Sequence, residues 1–416
     1  MRRTPRSTVS RRAFLRGAGA AGAGALLAGC TGNRTGDSGE TEGTTGSGAT
    51  AETTAGDATT TGEASGPYSV SMSPVGTVEF ENVPERVFTV FPQYADMAVA
   101  LGHGEKVNSV YVPKMSGTTM NHYYHHLDGV SFDWKGLRDP LTDGLPKELL
   151  YELNSDVHLA DPAWASTQKN WDRSDVEEIT SQIAPWFGNF YSGTRAAAPD
   201  GYKNYQHYTL WDLFGNVAKV FREEAKYRAL AKVHSNLVSS IQEKLPPKEE
   251  RPTAVRVTLA QDGKSFYTYH LNKPGYWLAD TRPLGANDAF ADQNWKNLWG
   301  TVDYETMLEA DPDVILHLWG MTPNYDMAET RKKLENHASG SQLTAVKNDR
   351  VYAAGMRYQG PIMNLFQIEM GAKQLYPDLF GEWPRYEDGD HYPEIPEKEW
   401  LFDRNEVAKI VTGNGA

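Results

Sequence analysis

The chain has 416 residues, 39% of them hydrophobic and 11% aromatic, enough to bury a sizeable core in about two or three domains. It carries 54 acidic and 41 basic side chains for a net charge of -13, a balance that repels nucleic-acid phosphate and argues against DNA or RNA binding. No run reaches the roughly 20 apolar residues needed to span a bilayer, and a single cysteine excludes internal disulfides and multi-cysteine metal sites.

The first 29 residues hold six arginines and no acid. Arg11 and Arg12 precede a short Gly- and Ala-rich stretch that ends in Leu27-Ala28-Gly29-Cys30. This pattern predicts a twin-arginine export signal over 1–29 joined to a lipobox, with Cys30 lipidated and the protein anchored to the outer face of the cell membrane. As a helix the apolar stretch would span only about 20 Å, short of the ~30 Å hydrocarbon core. Residues 31–66 contain no large apolar side chain and cannot support a core. Segment 30–66 is therefore expected to be a disordered tether with a reach of roughly 30–36 Å. The remainder divides into a first lobe over 67–206, a helical linker over 207–245 and a second lobe over 246–416.

Within the first lobe, 86–91 reads as a strand and 94–101 as a helix. A phrase then appears twice without a gap. Residues 147–159 (KELLYELNSDVHL) align with 304–316 (YETMLEADPDVIL), each a short helix, a polar turn and a buried strand. Repeated units this far apart imply two lobes of similar construction. Between the copies, apolar residues recur at helical spacing from Leu210 to Ile241 and stop at Pro246-Pro247. A helix over 223–244 would run about 33 Å, enough to bridge two lobes. Near the end, 350–354 reads as a strand and 361–376 as a helix. The fold class expected is α/β, with two Rossmann-like lobes on mainly parallel sheets, one long joining helix and a ligand cleft between the lobes.

Several phrases now carry a resemblance. Pro84-Glu85-Arg86-Val87 with Met97 to Gly102, then Glu309 to Leu316, then Val351-Tyr352 with Gly360-Pro361 and Leu375 to Phe380 occur in the order seen in one family. From about Val78 onward the chain resembles the periplasmic-type solute-binding proteins that deliver iron–siderophore complexes, haem or cobalamin to ABC importers. The resemblance implies two lobes joined by a rigid helix, and a permease with its ATPase as partners. It also implies permease docking by one acidic residue on each lobe, which falls on Glu148 and Glu305. The chain departs from the family pattern in enlarged segments over 112–145 and 188–208.

Ligands of parallel sheets are met at the carboxyl ends of strands. The loops predicted there supply Tyr94, Trp164, Tyr269, Trp319 and Tyr358, rings suited to a large, partly unsaturated ligand such as a catecholate chelate or a macrocycle. Arg357 adds a guanidinium able to pair with an anionic chelate oxygen. His122, His125 and His126 share helical spacing and raise a free-metal or haem reading, with no third ligand fixed by spacing. The expected function is a monomeric extracytoplasmic receptor for a metal chelate, most simply a ferric siderophore, with no resident cofactor and no catalytic residues. Haem, cobalamin or free-metal binding, or an exported enzyme, are the alternatives. No Gly-x-Ser-x-Gly elbow, His-Glu-x-x-His motif or P-loop supports the enzyme.

Overall fold

The two copies of the repeated phrase fold alike. In the computed structural model, which describes residues 66–260, 262–387 and 391–414, each copy forms a seven-residue helix, a left-handed turn and a parallel strand. The predicted signal and the tether up to residue 65, including Arg11, Arg12 and Cys30, lie outside the described residues.

The first lobe opens with an antiparallel hairpin of β1 (Tyr68–Met72) and β2 (Gly76–Phe80). Strand β3 (Val87–Thr89) leads into α1 (Pro92–Ala100), followed by α2 (Pro113–Tyr124). The first copy supplies α3 (Lys147–Leu153) and β4 (Val157–Leu159), and β4 pairs parallel to β3 in the register Val87↔Val157. Helices α4 (Pro162–Ala165) and α5 (Arg173–Gln182) complete the lobe.

The predicted helical stretch divides in two. Helix α6 (Leu210–Phe221) starts at a capping box between Thr209 and Asp212 and ends where Arg222 turns left-handed, at φ 56. Helix α7 (Glu224–Gln242) then runs about 28 Å at 1.5 Å per residue. Its buried residues Leu230, Val233, Leu237 and Ile241 recur every three or four positions and form one stripe.

The second lobe is built on β5 (Thr253–Leu259), β6 (Ser265–Tyr269), β7 (Asn287–Asp288), β8 (Trp299–Asp303), β9 (Val314–His317) and β10 (Val351–Ala353). Strand order is β10-β9-β5-β6-β8, with β7 also on β5. The pairs among β10, β9, β5 and β7 are parallel, whereas β6 and β8 extend the sheet antiparallel. The second copy supplies α8 (Tyr304–Ala310) before β9, and α9 (Met327–Asn336) and α10 (Thr344–Lys347) lead to β10. Helices α11 (Pro361–Leu375), α12 (Pro377–Phe380) and α13 (Arg404–Thr412) close the chain.

The likeness of the copies has a chemical basis. Asn154 and Asp311 cap their helices in the left-handed region at φ 43 and 33, where Asn and Asp are tolerated better than most side chains. Two residues on, Asp156 accepts hydrogen bonds from the Glu85 and Arg86 amides at 2.9 and 2.8 Å. Asp313 accepts one from the Thr253 amide at 2.8 Å. Each aspartate thus fixes the incoming strand beside its own.

Helix α11 is buried along its whole length and packs on α1, α2, α6 and α7. At its N-terminus Asp96 of α1 accepts a hydrogen bond from the Met363 amide at 3.1 Å and another from the Tyr124 hydroxyl. Gly360 permits this approach, since a Cβ there would stand 2.5 Å from Asp96 Oδ2. Further along, Glu369 pairs with Arg404 at 2.7 Å and accepts from the Tyr392 hydroxyl and the Leu401 amide, which holds the C-terminal segment on α11.

Burial is the main cause that pushes the Asp96 carboxyl up to about 7, against hydrogen bonds that work the other way. Its contribution to stability is therefore fully present below its ordinary value of 3.8 and lost as pH rises through about 7. Asp96→Asn should reduce the fall in melting temperature between pH 5 and pH 8. An undiminished fall, measured by circular dichroism, would assign that pH dependence to other groups.

Candidate ligand site between the lobes

Arg357 follows β10 and is only 7% exposed. Its Nη1 donates to the Tyr269 hydroxyl at 2.7 Å and its Nη2 to the Tyr358 hydroxyl at 2.9 Å. The guanidinium lies over Trp277 at 4.3 Å from the ring centre, with Tyr358 at 4.9 Å and Trp319 at 5.8 Å. Burial opposes its charge, and the Tyr269 and Tyr358 hydroxyl oxygens work the other way.

The rings continue into the first lobe. Tyr358 stacks on Phe91 at 4.7 Å, and Phe91 meets both Trp164 and Phe190 at 5.1 Å. Phe190 in turn reaches Trp277 at 5.8 Å, which closes a circuit of aromatic contacts across the lobes. The structure thus brings together Trp164, Tyr269, Trp319, Arg357 and Tyr358.

Trp319 stands at the end of β9 in the left-handed region, at φ 70, uncommon for a bulky residue. Its amide is held by Gly355 O at 2.9 Å, and Gly320 beside it packs against Ala353, so the turn is fixed from both sides. The cost of that conformation coincides with the delivery of an indole to the cluster.

Tyr94 lies apart from the circuit. It sits in the first turn of α1, buried, where its hydroxyl oxygen accepts from the Asn189 amide at 2.7 Å. Burial pushes this hydroxyl upward. Its partner Asn189 belongs to segment 188–208, as do Phe190 and Tyr205, and both of these bond to the carboxylate of Asp161. Tyr94 and Asp161 therefore hold in place the enlarged segment that carries Phe190 into the cluster.

That segment also meets the second lobe directly. A Cβ on Gly193 would stand 2.5 Å from Trp277 Nε1, and one on Gly275 would collide with the Gly193 carbonyl. Phe91, Phe190 and Trp277 are not among the residues expected from the sequence. Phe91 is the last residue of the predicted strand 86–91, and Trp277 lies in a single 3-10 turn, Tyr276–Leu278, that no periodicity marks.

The histidine rings lie near one another, His122 to His391 at 5.5 Å and His125 to His126 at 5.6 Å, but they do not assemble as a ligand set. His122 Nδ1 lies 3.3 Å from Met321 O and His126 Nε2 2.6 Å from Tyr392 O, while His125 stacks on His391 with ring centres 4.4 Å apart. Nearly parallel stacked rings direct their nitrogens along separate planes. Among the described residues no three His, Cys, Asp or Glu side chains form a group able to hold a metal ion.

Residues 143–358 match the family model described as periplasmic binding protein. The chain belongs to the periplasmic binding protein family. Among solved structures, a periplasmic binding protein from Veillonella parvula is 17% identical over 78% of this chain and 94% of its own, with a TM-score of 0.52. PiuA, the iron uptake ABC transporter substrate-binding protein of Streptococcus pneumoniae, is 16% identical over 74% and 97%, at 0.51. Helicobacter pylori CeuE, solved with Ni(II) bound, is 14% identical over 75% and 90%, also at 0.51. These likenesses establish the two-lobe fold. No curated protein matches the chain.

Membership of the periplasmic binding protein family makes this an extracytoplasmic solute-binding protein and places it among binders rather than enzymes. No helix among the described residues is long and apolar enough to cross a membrane.

The Gly193 contact can be tested. Gly193→Ala should displace Trp277 and destabilise the fold by about 1–3 kcal/mol, as overpacking does. A lower melting temperature with altered tryptophan emission is expected, and unchanged values would show that the segment yields freely.

Proposed function

We propose that this protein captures an anionic metal chelate, most simply a ferric siderophore, at the aromatic cluster and delivers it to an ABC permease and its ATPase. The observation that carries this reading is the state of Arg357. Among the described residues it forms no ion pair, its hydrogen bonds go to two phenol oxygens, and its Nε has no partner. A buried cation without a counter-charge is expensive, and a carboxylate, hydroxamate or catecholate oxygen of a ligand would supply one. Rings from both lobes would cover the organic shell of the chelate. The iron-uptake role named for the pneumococcal neighbour favours the same class. Haem or cobalamin would use the same walls and is distinguished by the same binding measurements.

Export by the twin-arginine signal and anchoring through Cys30 would leave the receptor tethered outside the membrane. Glu148 and Glu305 sit exposed in the first turns of α3 and α8, equivalent places in the repeated units, which supports them as the permease contacts.

Arg357→Ala should weaken a ferric catecholate or hydroxamate by at least about tenfold in a tryptophan-quenching titration, with the fold retained. Undiminished affinity would remove Arg357 from the site. Charge reversal of Glu148 and Glu305 together should leave that affinity intact while stopping uptake by cells, and continued uptake would overturn the docking assignment.

A further inference from the structure

The aromatic wall extends beyond Arg357. Tyr269 pairs across the sheet with Arg256, and Tyr267 with Thr258, so both point to the face on which Arg256 lies. Phe266, next to Tyr267 on β6, enters the separate core on the other face with Val255, Val257 and Ile315. On the adjacent strand β8, Trp299 stands opposite Tyr269 and Thr301 opposite Tyr267. Ring centres are 6.4 Å apart from Tyr269 to Trp299 and 6.1 Å from Trp299 to Tyr267. Exposure rises along this line, from buried Tyr269 through half-buried Trp299 to Tyr267 at 44%.

Only three large hydrophobic residues among the described ones are this exposed, and Tyr151 bonds its hydroxyl to Glu178 on the surface of the first lobe. Tyr267 is different because it ends a continuous line of rings that starts at the Arg357 guanidinium. Tyr325 flanks the same line. Burial chiefly pushes its hydroxyl up to about 12, with Tyr269 and Tyr267 adding to the effect.

We propose that Tyr269, Trp299 and Tyr267 form an extended subsite that receives a planar apolar arm, an aryl or conjugated substituent, of the chelate whose charged head is held at Arg357. This rests on the reading given above and narrows it to chelates that carry such an arm. Tyr267 and Trp299 meet edge to face, with planes 73° apart, and Trp299 and Tyr269 are tilted by 36°, so a flat hydrocarbon laid on one ring meets the edge of its neighbour and is held by aromatic contact rather than by hydrogen bonds. The antiparallel strands β6 and β8 supply this wall, and the loops after the parallel strands β9 and β10 bring Trp319 and Arg357 to the head-group site, where Tyr269 of β6 is shared by both.

The test titrates the full chain with two probes, a ferric bis-catecholate and the same chelate bearing a naphthyl amide. The naphthyl chelate should bind about three- to tenfold tighter, the range expected of an aromatic stacking contact. Tyr267→Ala with Trp299→Ala should cut that advantage below about twofold while the bare chelate keeps its affinity, and Tyr267→Phe, which retains the ring, should preserve the advantage. If the double variant melts early, Tyr267→Ala alone, on an exposed side chain, carries the comparison and should lower the advantage measurably. An advantage that survives these substitutions, or none in the unaltered protein, overturns the subsite while leaving the head-group site standing. Failure of both chelates to bind the unaltered protein overturns the proposed ligand class and the subsite with it.

Discussion

Parallel strands have no hairpin to set their alignment, and in this protein two carboxylates do so. Asp156 and Asp313 each bind the backbone at the start of the neighbouring strand, immediately before their own strand begins. A slip of one residue would turn every side chain of a strand to the opposite face. Trp164 lies just beyond β4, Trp319 beyond β9 and Arg357 beyond β10. Their convergence is thus inherited from pairings made at the far ends of the strands.

Much of this could be seen in the residues before any coordinates. The gapless repeat contains the helix, the turn and the register-setting aspartate, and the three occur as local chemistry in consecutive positions. The strand-end rule reached Trp164, Trp319, Arg357 and Tyr358 because each stands within two to five residues of the end of β4, β9 or β10. Tyr94 was selected by the same rule and lies elsewhere, since a residue in the first turn of a helix can point down into the core as readily as toward a cleft. Phe190 and Trp277 depend on contacts across nearly ninety positions, between an enlarged loop and a 3-10 turn, and no periodicity records such a meeting. The antiparallel direction of β6 and β8 was equally hidden, because alternation of side chains is the same in both kinds of sheet.

Three of the four buried arginines among the described residues show how differently one side chain can be accommodated. Arg256 is paired with Asp280 at 3.0 Å, and Arg404 with Glu369 at 2.7 Å. Both have carboxylates of their own, and both knit segments of the chain together. Arg357 is held by phenol oxygens and ring faces, which orient a guanidinium without cancelling its charge. Such a site remains attractive to an anion in a way that the other two do not.

Helix α11 belongs to the second lobe by sequence, yet its side chains pack with α1, α2 and α6 of the first half in one continuous apolar core. The second lobe keeps a core of its own on the far face of its sheet, but the first lobe has no interior that is complete without α11. The lobes are set to melt together, as a single cooperative transition, and a chain interrupted after α7 would leave the first half with an uncovered apolar face where α11 belongs.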